Sequence, residues 1–252
     1  MILLASDLDN TMIYSYKRQL ENRVPVETKD GRVLSYMTAY SYDRLRTLPG
    51  NICFVPVTTR SLEQYRRIRF PDGKEPEYAL VSNGGILLRR GERDDTWYEE
   101  SRRLAGLAEE ELSKAAALLE QDPGLAFEIR MVDELFLFTK SSCPEETVGM
   151  LTKALEGGSV EVFSNGIKIY VVPVSLDKGR MLRRLREMLG FPYTVGCGDS
   201  LFDIPLLQEA DLSICPESLD GGLSGTKEKR AVPEGSILSD EIFYIIEKCS
   251  MI

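Results

Sequence analysis

The sequence predicts an α/β fold in which a parallel-sheet core carries an inserted α+β module. The first reason is that short apolar runs alternate with helical patterns at both ends of the 252-residue chain. The second is that two of these runs end in pairs of acidic residues. The third is that the middle of the chain changes to helix–strand–strand patterns. We expect residues 1–87 and 173–252 to form the core and residues 88–172 to form the inserted module.

The first acidic pair, Asp7 and Asp9, follows an apolar run that predicts a strand near residues 2–7. Side chains alternate across a strand, so both carboxylates should leave it on the same side. Open α/β folds bind ligands at the carboxyl edge of a parallel sheet. Two close negative charges need a cation or a shared proton, which favours a metal-assisted reaction with one aspartate as nucleophile. The alternative is a polar turn after a strand.

The second acidic pair, Asp199 and Asp203, follows the β-branched run at 193–197 and Gly198. Glycine lets the backbone turn sharply and approach a ligand. The second acid should lie one helical turn beyond the first, on the same face. We expect Cys197, two residues before this pair, to be a packed core thiol rather than a redox group.

Two further polar residues stand at the ends of predicted elements. Thr58 supplies a hydroxyl at the end of a strand near 51–57, and Lys178 opens a helix. Four acids, a hydroxyl and a lysine at strand ends and helix starts together predict one site for a phosphate group and a metal. The combination is more specific than any one of its parts.

Local signals predict the other core elements. Asp30-Gly31 predicts the turn of a β-hairpin, which is either a flap beside the site or a surface excursion. A helix is expected over 38–48, and another begins at the N-cap Ser61. A strand over 78–81 precedes a glycine turn.

The module at 88–172 is predicted to contain a helix–strand–strand unit given twice, without obvious sequence identity between the copies. This fits a four-stranded antiparallel sheet with two helices on one face. Arg130 and Lys168 lie on predicted strands and either contact substrate or belong to a solvated sheet face. The predicted helices are 109–119 and 144–155, and the predicted strands are 126–131, 135–139, 160–163 and 167–172.

The composition excludes several classes of function. The chain has no histidine, which rules out Ser-His-Asp and Cys-His triads, histidine phosphatases and His-based zinc sites. Five cysteines without CxxC pairing are typical of a reducing compartment. The net charge of −9 disfavours nucleic-acid binding. Without a visible signal peptide or membrane-spanning run, we expect a soluble, cytoplasmic protein with no membrane partner. The sequence carries no signal for an oligomeric state.

These motifs resemble those of the haloacid dehalogenase-like (HAD) phosphohydrolases, in the same order and across essentially the whole chain. Asp-x-Asp-x-Thr is matched by Asp7 to Thr11, the strand-end hydroxyl by Thr58, the helix-start lysine by Lys178, and Gly-Asp-Ser-x-x-Asp by Gly198 to Asp203. Two residues depart from the family pattern, because Thr59 stands where glycine is frequent and Phe202 where asparagine is frequent.

The remaining similarity is to one part of that superfamily. The run Ser82-Asn83-Gly84-Gly85 resembles the segment before the cap in the Cof-like branch. The αββ repeat resembles the caps of sucrose-phosphate phosphatases, mannosyl-3-phosphoglycerate phosphatases and phosphomannomutases. The resemblance implies a Rossmann-like core with an αββαββ cap that selects the substrate. It also implies that Asn83 touches substrate, although Asn-Gly is an ordinary turn pair as well.

The resemblance implies a role for each matched residue. Asp7 would attack phosphorus to form an aspartyl-phosphate, and Asp9 would protonate the leaving oxygen and then activate water. Mg²⁺ would be held by Asp7, by the backbone carbonyl of Asp9, by Asp199, and by Asp203 through water unless that residue instead steadies Lys178. The expected substrate contacts are Thr58, Thr59, Arg60, Asn83 and Lys178, with Arg60 either a phosphate neighbour or a surface charge.

We therefore expect a Mg²⁺-dependent phosphatase that acts on a small phosphorylated metabolite, such as a sugar phosphate. One alternative is a phosphomutase that uses the same aspartyl-phosphate, and the formation of an isomer rather than free phosphate would identify it. The other is a non-catalytic descendant that binds phosphorylated ligands. Such a descendant usually loses an essential acid, whereas Asp7, Asp9 and Asp199 are all present here.

Overall fold

The computed structural model describes residues 1–223 and 225–249, and the chain forms two compact units. Unit 1 comprises Met1–Arg93 and the described residues from Lys178 onward, and unit 2 comprises Asp94–Asp177. Sequence analysis places these boundaries at residues 88 and 172. None of the helices that the structure describes has the length and hydrophobicity needed to cross a bilayer.

The strands and helices alternate along unit 1 and cluster by type in unit 2. In the described residues the strands are β1 (Ile2–Ser6), β2 (Tyr14–Ser15), β3 (Arg23–Lys29), β4 (Arg32–Thr38), β5 (Ile52–Pro56), β6 (Tyr78–Val81), β7 (Ile86–Arg89), β8 (Glu92–Arg93), β9 (Arg130–Val132), β10 (Phe136–Lys140), β11 (Val160–Asn165), β12 (Lys168–Pro173), β13 (Tyr193–Cys197), β14 (Leu212–Pro216) and β15 (Glu228–Val232). The helices are α1 (Ala39–Arg46), α2 (Leu62–Tyr65), α3 (Asp95–Gly106), α4 (Glu109–Glu120), α5 (Pro144–Ala154), α6 (Lys178–Leu189), α7 (Ile204–Glu209), α8 (Glu217–Asp220) and α9 (Leu238–Cys249).

A five-stranded sheet forms the centre of unit 1, with the strand order β15–β14–β13–β1–β5. Every neighbouring pair in this sheet is parallel. The interior strand β1 is almost entirely apolar, and its Leu3, Leu4 and Ala5 are fully buried, because a parallel sheet is covered on both faces. The predicted α/β class with a parallel-sheet core is confirmed.

The register brings the candidate residues to one edge of this sheet. β1 and β13 end level with each other, with Ser6 opposite Cys197. The backbone N–H of Asp7 then donates to the Cys197 carbonyl at 2.9 Å, which continues the pairing by one residue. β5 pairs with the other side of β1 and ends level with it. Asp7, Thr58 and Asp199 therefore all follow the carboxyl edge of the sheet, where α/β folds bind ligands.

A β-hairpin lies between β1 and α1. Its strands, β3 and β4, pair antiparallel across Asp30 and Gly31, which have φ values of 52° and 74°. Two successive positive φ angles are what a type I′ turn requires, so the predicted hairpin is confirmed. The register shifts on both sides of Glu27 in β3. Such irregularities re-aim a side chain relative to the regular alternation of a strand.

The segment after β5 is held by a helix cap. The hydroxyl of Ser61 accepts a hydrogen bond from Gln64 N at 3.2 Å, and the Gln64 side chain accepts one from Ser61 N, also at 3.2 Å. This reciprocal capping box confirms Ser61 as the predicted N-cap. Because α2 begins at Leu62, the cap fixes the direction of the chain directly after Thr58 and Arg60.

Unit 2 contains a four-stranded antiparallel sheet with the order β11–β12–β10–β9. One face of this sheet supplies Leu137, Ile169 and Val171 to a buried cluster that also contains Leu112 of α4 and Leu151 of α5. The neighbouring residues of the same strands point to the opposite face. The predicted repeat of helix, strand and strand, with both helices on one face of the sheet, is confirmed.

Two elements of unit 2 differ from the prediction. α3 was not predicted, although Asp94 caps it by accepting a hydrogen bond from Trp97 N at 2.9 Å. The strand predicted over 126–131 begins only at Arg130. One reason is that the carbonyl of Phe127 accepts a hydrogen bond from the Thr139 hydroxyl at 2.7 Å. This carbonyl is therefore paired with a side chain and not with the backbone of a neighbouring strand.

Candidate active site

A buried lysine lies between two of the predicted acids. Lys178 is the first residue of α6, and its Nζ donates to Asp7 Oδ1 and to Asp203 Oδ1, each at 2.6 Å. All three side chains are buried, with Lys178 only 1% exposed. Burial opposes the charged ammonium, but the carboxylates of Asp203 and Asp7 raise the pKa of Lys178 above its usual value. Lys178 is therefore a permanent cation that orients both acids.

The second oxygen of Asp203 is also engaged. Oδ2 accepts hydrogen bonds from the backbone N–H groups of Asp199 and Ser200 at 3.1 and 3.0 Å, and from the Ser200 hydroxyl at 2.9 Å. Gly198 makes this packing possible, because a Cβ at that position would lie 2.2 Å from the Asp203 Cβ. Asp203 thus steadies Lys178, which is one of the two roles that the resemblance implied for it.

Three carboxylates form a cluster that can hold a metal ion. Asp7, Asp199 and Asp203 each offer an oxygen, and these oxygens lie within 4.8 Å of one another. Burial and the Asp203 carboxylate raise the pKa of Asp199 to about 6. Burial also raises the pKa of Asp7, although Lys178 acts in the opposite direction. The cluster holds more negative charge than one ammonium offsets, and a divalent cation with oxygen ligands would neutralise it.

Thr11, at the end of the first motif, contacts this cluster. Its hydroxyl donates to Asp199 Oδ1 at 3.0 Å, and Thr11 is fully buried. The carbonyl of Thr11 accepts a hydrogen bond from the Tyr14 hydroxyl, which in turn accepts one from Ser239 N at the start of α9. These contacts hold Asp199 against the loop that follows β1.

Arg60 holds the second acid of the first motif. Its Nε and Nη2 donate to the two oxygens of Asp9 at 2.7 and 2.8 Å, a bidentate arrangement. The side chain of Arg60 is only 10% exposed, whereas that of Asp9 is 46% exposed. Although burial disfavours the charged guanidinium, Asp9 and Glu27 raise the pKa of Arg60 above its usual value. A direct contact between Arg60 and phosphate remains a prediction, and it would require this pair to rearrange.

The predicted substrate contacts around Thr58 lie close together. Thr58 is fully buried, and its Oγ1 accepts a hydrogen bond from Arg60 N at 3.2 Å. The backbone N–H of Asn83 donates to the Thr58 carbonyl at 2.9 Å, and Ser82 N donates to the Arg60 carbonyl at 2.8 Å. The structure therefore brings Asn83 and Thr58 together, with the half-buried Thr59 between Thr58 and Arg60.

Phe202, one of the two departures from the family pattern, and the nearby Cys197 are both buried. Phe202 lies in the 3₁₀ turn Leu201–Asp203 and is 7% exposed, so an apolar ring packs where asparagine is frequent in the family. Cys197 is also fully buried, and burial raises the pKa of its thiol. This confirms that Cys197 is a packed core residue.

A separate cavity of about 400 Å³ lies in unit 1. Ile52 and Tyr78, the first residues of β5 and β6, line it together with Phe70 and Phe191. It is thus close to the strand starts, whereas Asp7 and Asp199 follow strand ends. Its lining includes no predicted site residue, so the cavity is distinct from the carboxylate cluster.

Sequence reasoning gave no role to three residues that the structure connects to the site. Thr11 was available as the last residue of the first motif, and Ser200 as a residue inside the fourth. Glu27, which contacts Arg60 at 3.0 Å, lies in β3 and belongs to no motif. No local pattern distinguishes it from the other charged residues of the hairpin.

Comparison with known families gives a match to the model of the sucrose-6F-phosphate phosphohydrolases over residues 1–219. The chain belongs to this family. The expected membership of the HAD superfamily is therefore confirmed, and the protein is a HAD-like phosphoric monoester hydrolase. No curated protein sequence matches the chain.

Several solved structures share this fold. The sucrose-phosphatase of Synechocystis sp. PCC6803, in complex with sucrose and phosphate, is 18% identical over 99% of this chain and 98% of that chain, with a TM-score of 0.65. A protein from Thermoplasma acidophilum is 15% identical over 99% of this chain and 98% of that chain, with a TM-score of 0.63. A haloacid dehalogenase-like hydrolase from B. subtilis is 15% identical over 98% of this chain and 99% of that chain, with a TM-score of 0.58. At these identities the likeness concerns the fold alone.

Proposed function

We propose that this phosphatase hydrolyses a small sugar phosphate in a Mg²⁺-dependent reaction that passes through an aspartyl-phosphate on Asp7. The observation that carries the proposal is the buried contact of Lys178 with both Asp7 and Asp203 at the carboxyl edge of the sheet. This contact orients the Asp7 carboxylate. The single ammonium of Lys178 leaves a surplus of negative charge in the carboxylate cluster. A phosphate ester could approach such a site only if a cation offset that surplus.

The donor set fits Mg²⁺. Asp7 and Asp199 would supply carboxylate oxygens and Asp9 its backbone carbonyl, whereas both oxygens of Asp203 already accept hydrogen bonds from protein groups. Mg²⁺ keeps several waters and needs few protein carboxylates, so this small set suffices. When bound, Mg²⁺ would withdraw charge from the phosphoryl oxygens and keep Asp7 ionised.

In the first half of the reaction, an oxygen of Asp7 attacks phosphorus and the bond from phosphorus to the leaving oxygen breaks. Lys178 engages Oδ1 of Asp7 and so fixes the direction of attack. For this step one oxygen of Asp9 must be protonated and turned to the substrate while the other stays on Arg60; Asp9 then gives that proton to the leaving oxygen, which departs as an alcohol. Thr58 Oγ1 accepts a hydrogen bond from Arg60 N, and its hydroxyl proton would be donated to a phosphoryl oxygen.

In the second half, the ionised Asp9 takes a proton from a water molecule, and the water oxygen attacks phosphorus. The bond between phosphorus and Asp7 breaks, which releases inorganic phosphate and restores the Asp7 carboxylate. Asp9 is suited to both halves because its side chain is 46% exposed, so water and substrate can reach it. Asp7, by contrast, is buried and is held for attack on phosphorus.

The sugar part of the proposal rests on the family and on unit 2. The family is described by its action on sucrose 6F-phosphate. On the sheet face of unit 2 opposite its helices, the rings of Phe138 and Tyr170 lie 5.3 Å apart, and Phe127 lies 6.1 Å from Phe138. Arg130 and Lys140 lie over the Phe127 ring. We propose that the inserted unit selects the substrate with this aromatic and basic face.

The test is a phosphate-release assay on a set of phosphorylated sugars, sucrose 6-phosphate included, in Mg²⁺ and in EDTA. We expect release in Mg²⁺, none in EDTA, and recovery when Mg²⁺ is added back. Asp7→Asn should lower kcat by about 10⁴-fold or more because the nucleophile is lost, while its thermal midpoint stays close to that of the wild type. Asp43→Asn, at an exposed position of α1, is the matched control and should keep full activity.

Three outcomes would contradict the proposal. Turnover without metal would remove the role of the carboxylate cluster, and substantial activity in Asp7→Asn would exclude Asp7 as nucleophile. Formation of a phosphosugar isomer without free phosphate would identify a phosphomutase instead.

A further inference from the structure

Glu27 is a buried acid in the hairpin rather than in any motif. It lies in β3 where the strand register is irregular, and it is only 2% exposed. The chain after α2 covers it, because Ile68 forms an isolated bridge with Glu27, and Arg69 N donates to the Val26 carbonyl at 2.7 Å. A buried carboxylate is destabilising unless it is paired, so the groups that contact Glu27 indicate its role.

Each oxygen of Glu27 has a partner. Oε1 accepts a hydrogen bond from Arg67 Nε at 3.1 Å, and Oε2 accepts one from the Ser35 hydroxyl at 2.7 Å. Oε2 also lies 3.0 Å from Nη1 of Arg60, as an ion pair without well-directed hydrogen-bond geometry. Ser35 and Arg67 therefore fix the carboxylate, and the fixed carboxylate faces the guanidinium of Arg60.

Arg60 connects Glu27 to Asp9. Its Nε and Nη2 contact the two oxygens of Asp9 and its Nη1 faces Glu27, so its three nitrogens are divided between two carboxylates. Arg60, Arg67, Asp9 and Glu27 carry equal numbers of positive and negative formal charges. This balance means that the group needs no further ion, unlike the cluster around Lys178.

We infer that Glu27 is a positioning residue for the phosphatase reaction, because it anchors Arg60 and through Arg60 fixes the direction of the Asp9 carboxylate. The inference rests on the proposed function, in which Asp9 protonates the leaving oxygen. Without Glu27, Arg60 keeps its bond to Asp9 but loses the partner that sets its own position. A misplacement of about 1 Å in a group that transfers a proton can reduce a rate by about 10²-fold.

The test compares two phosphate esters whose hydrolysis depends to different degrees on a general acid. Phenyl phosphate has a poor leaving group, which depends on protonation by Asp9, whereas p-nitrophenyl phosphate has a good one. In Mg²⁺, we expect Glu27→Gln to lower kcat/KM for phenyl phosphate about tenfold and for p-nitrophenyl phosphate about twofold or less. The ratio of the two values does not depend on the fraction of folded enzyme, so a partial folding defect leaves it unchanged.

Two other variants complete the test. Glu63→Gln is the matched control, because Glu63 is 83% exposed and contacts Arg67 at 3.5 Å without reaching Arg60; its ratio should equal that of the wild type. Ser35→Ala removes one hydrogen bond to Glu27 and should shift the ratio in the same direction by a smaller factor. If Glu27→Gln does not fold, the ratio measured for Ser35→Ala tests the inference in its place.

The outcomes separate this inference from the proposed function. A wild-type protein that releases phosphate neither from these probes nor from the phosphorylated sugars in Mg²⁺ would contradict the proposed function itself. A wild type that hydrolyses both, with an unchanged ratio in Glu27→Gln and Ser35→Ala, would overturn the role of Glu27 alone. Equal losses for both probes would likewise assign Glu27 to the fold and not to Asp9.

Discussion

Two cations in unit 1 each lie between an aspartate of the first motif and a second carboxylate from elsewhere in the chain. Lys178 contacts Asp7 and Asp203, and Arg60 contacts Asp9 and Glu27. In both cases a cation that is at most 10% exposed orients a carboxylate of the loop after β1. The arrangement gives the two aspartates separate supports although only one residue lies between them.

The two clusters differ in their charge. Around Lys178, three carboxylates face one ammonium, and burial raises the pKa values of Asp7 and Asp199. Around Arg60, two carboxylates are matched by Arg60 and Arg67. The first cluster is therefore incomplete without a cation, whereas the second is neutral by itself. The Lys178 cluster can therefore bind a cation, whereas the Arg60 cluster fixes the position of the Asp9 side chain.

The largest expected effect comes from removing the cation of the first cluster. Lys178→Met leaves Asp7 and Asp203 without their buried partner, so we expect a loss of about 3–5 kcal/mol of stability in EDTA and a drop in kcat of about 10²–10³-fold in Mg²⁺. Urea unfolding and phosphate release measure the two quantities. Arg183→Met, at an exposed position of the same helix, should change neither. Equal behaviour of both variants would show that the Lys178 cluster is not the functional one.

A smaller effect is expected from Gly198→Ala. The added methyl would lie 2.2 Å from the Asp203 Cβ. Asp203 must therefore move away from Lys178 or from the backbone N–H groups that donate hydrogen bonds to it. Overpacking of this kind costs about 1–3 kcal/mol, and kcat should fall as well. Gly149→Ala is the control, since nothing lies within 4 Å of a Cβ there. A fully active Gly198→Ala would mean that the position of Asp203 does not matter.

The smallest effect concerns protons and Mg²⁺ at the first cluster. Asp199 binds a metal ion only when ionised, and its pKa is raised to about 6, so protons compete as the pH falls. Between pH 8 and pH 5, this group alone should weaken Mg²⁺ binding about tenfold. Calorimetric titration of the metal-free protein at both pH values measures the change. Affinity that does not fall with pH would exclude Asp199 as a ligand.

The cluster around Lys178 could be predicted from the sequence because its members lie in short motifs at the ends of strands and helices. Asp7 follows β1, Asp203 ends the 3₁₀ turn after β13, and Lys178 begins α6. Each position can be recognised from a few neighbouring residues. Their convergence then follows from the rule that parallel strands end at one edge of the sheet.

The second cluster was only half predictable. Asp9 and Arg60 were candidates because they follow strands, but their bidentate contact depends on side-chain directions that spacing does not give. Glu27 becomes important only when the hairpin packs against the segment at Ile68 and Arg69. That contact joins residues about 40 positions apart in the sequence, and a register irregularity re-aims the side chain. No local pattern encodes either event.

α3 was missed for a different reason. Its buried residues are Trp97, Tyr98, Ser101 and Ala105. Ser101 and Ala105, which continue the i, i+4, i+8 row from Trp97, are small, so the apolar period that predicts a helix is weak. The helix is instead stabilised by its cap at Asp94 and by the burial of the Trp97 ring. Propensity and pattern alone do not detect such an element.

The most direct test of the central claim is to trap the phosphorylated enzyme. Wild-type protein with Mg²⁺ and p-nitrophenyl phosphate is quenched in acid within the first turnover, and the phosphoryl group is located by mass spectrometry of its peptides. We predict a single phosphorylated aspartate, Asp7, that is absent in Asp7→Asn and persists longer in Asp9→Asn, where water is not activated. A phosphoryl group on another residue, or active turnover with no covalent intermediate, would contradict the account.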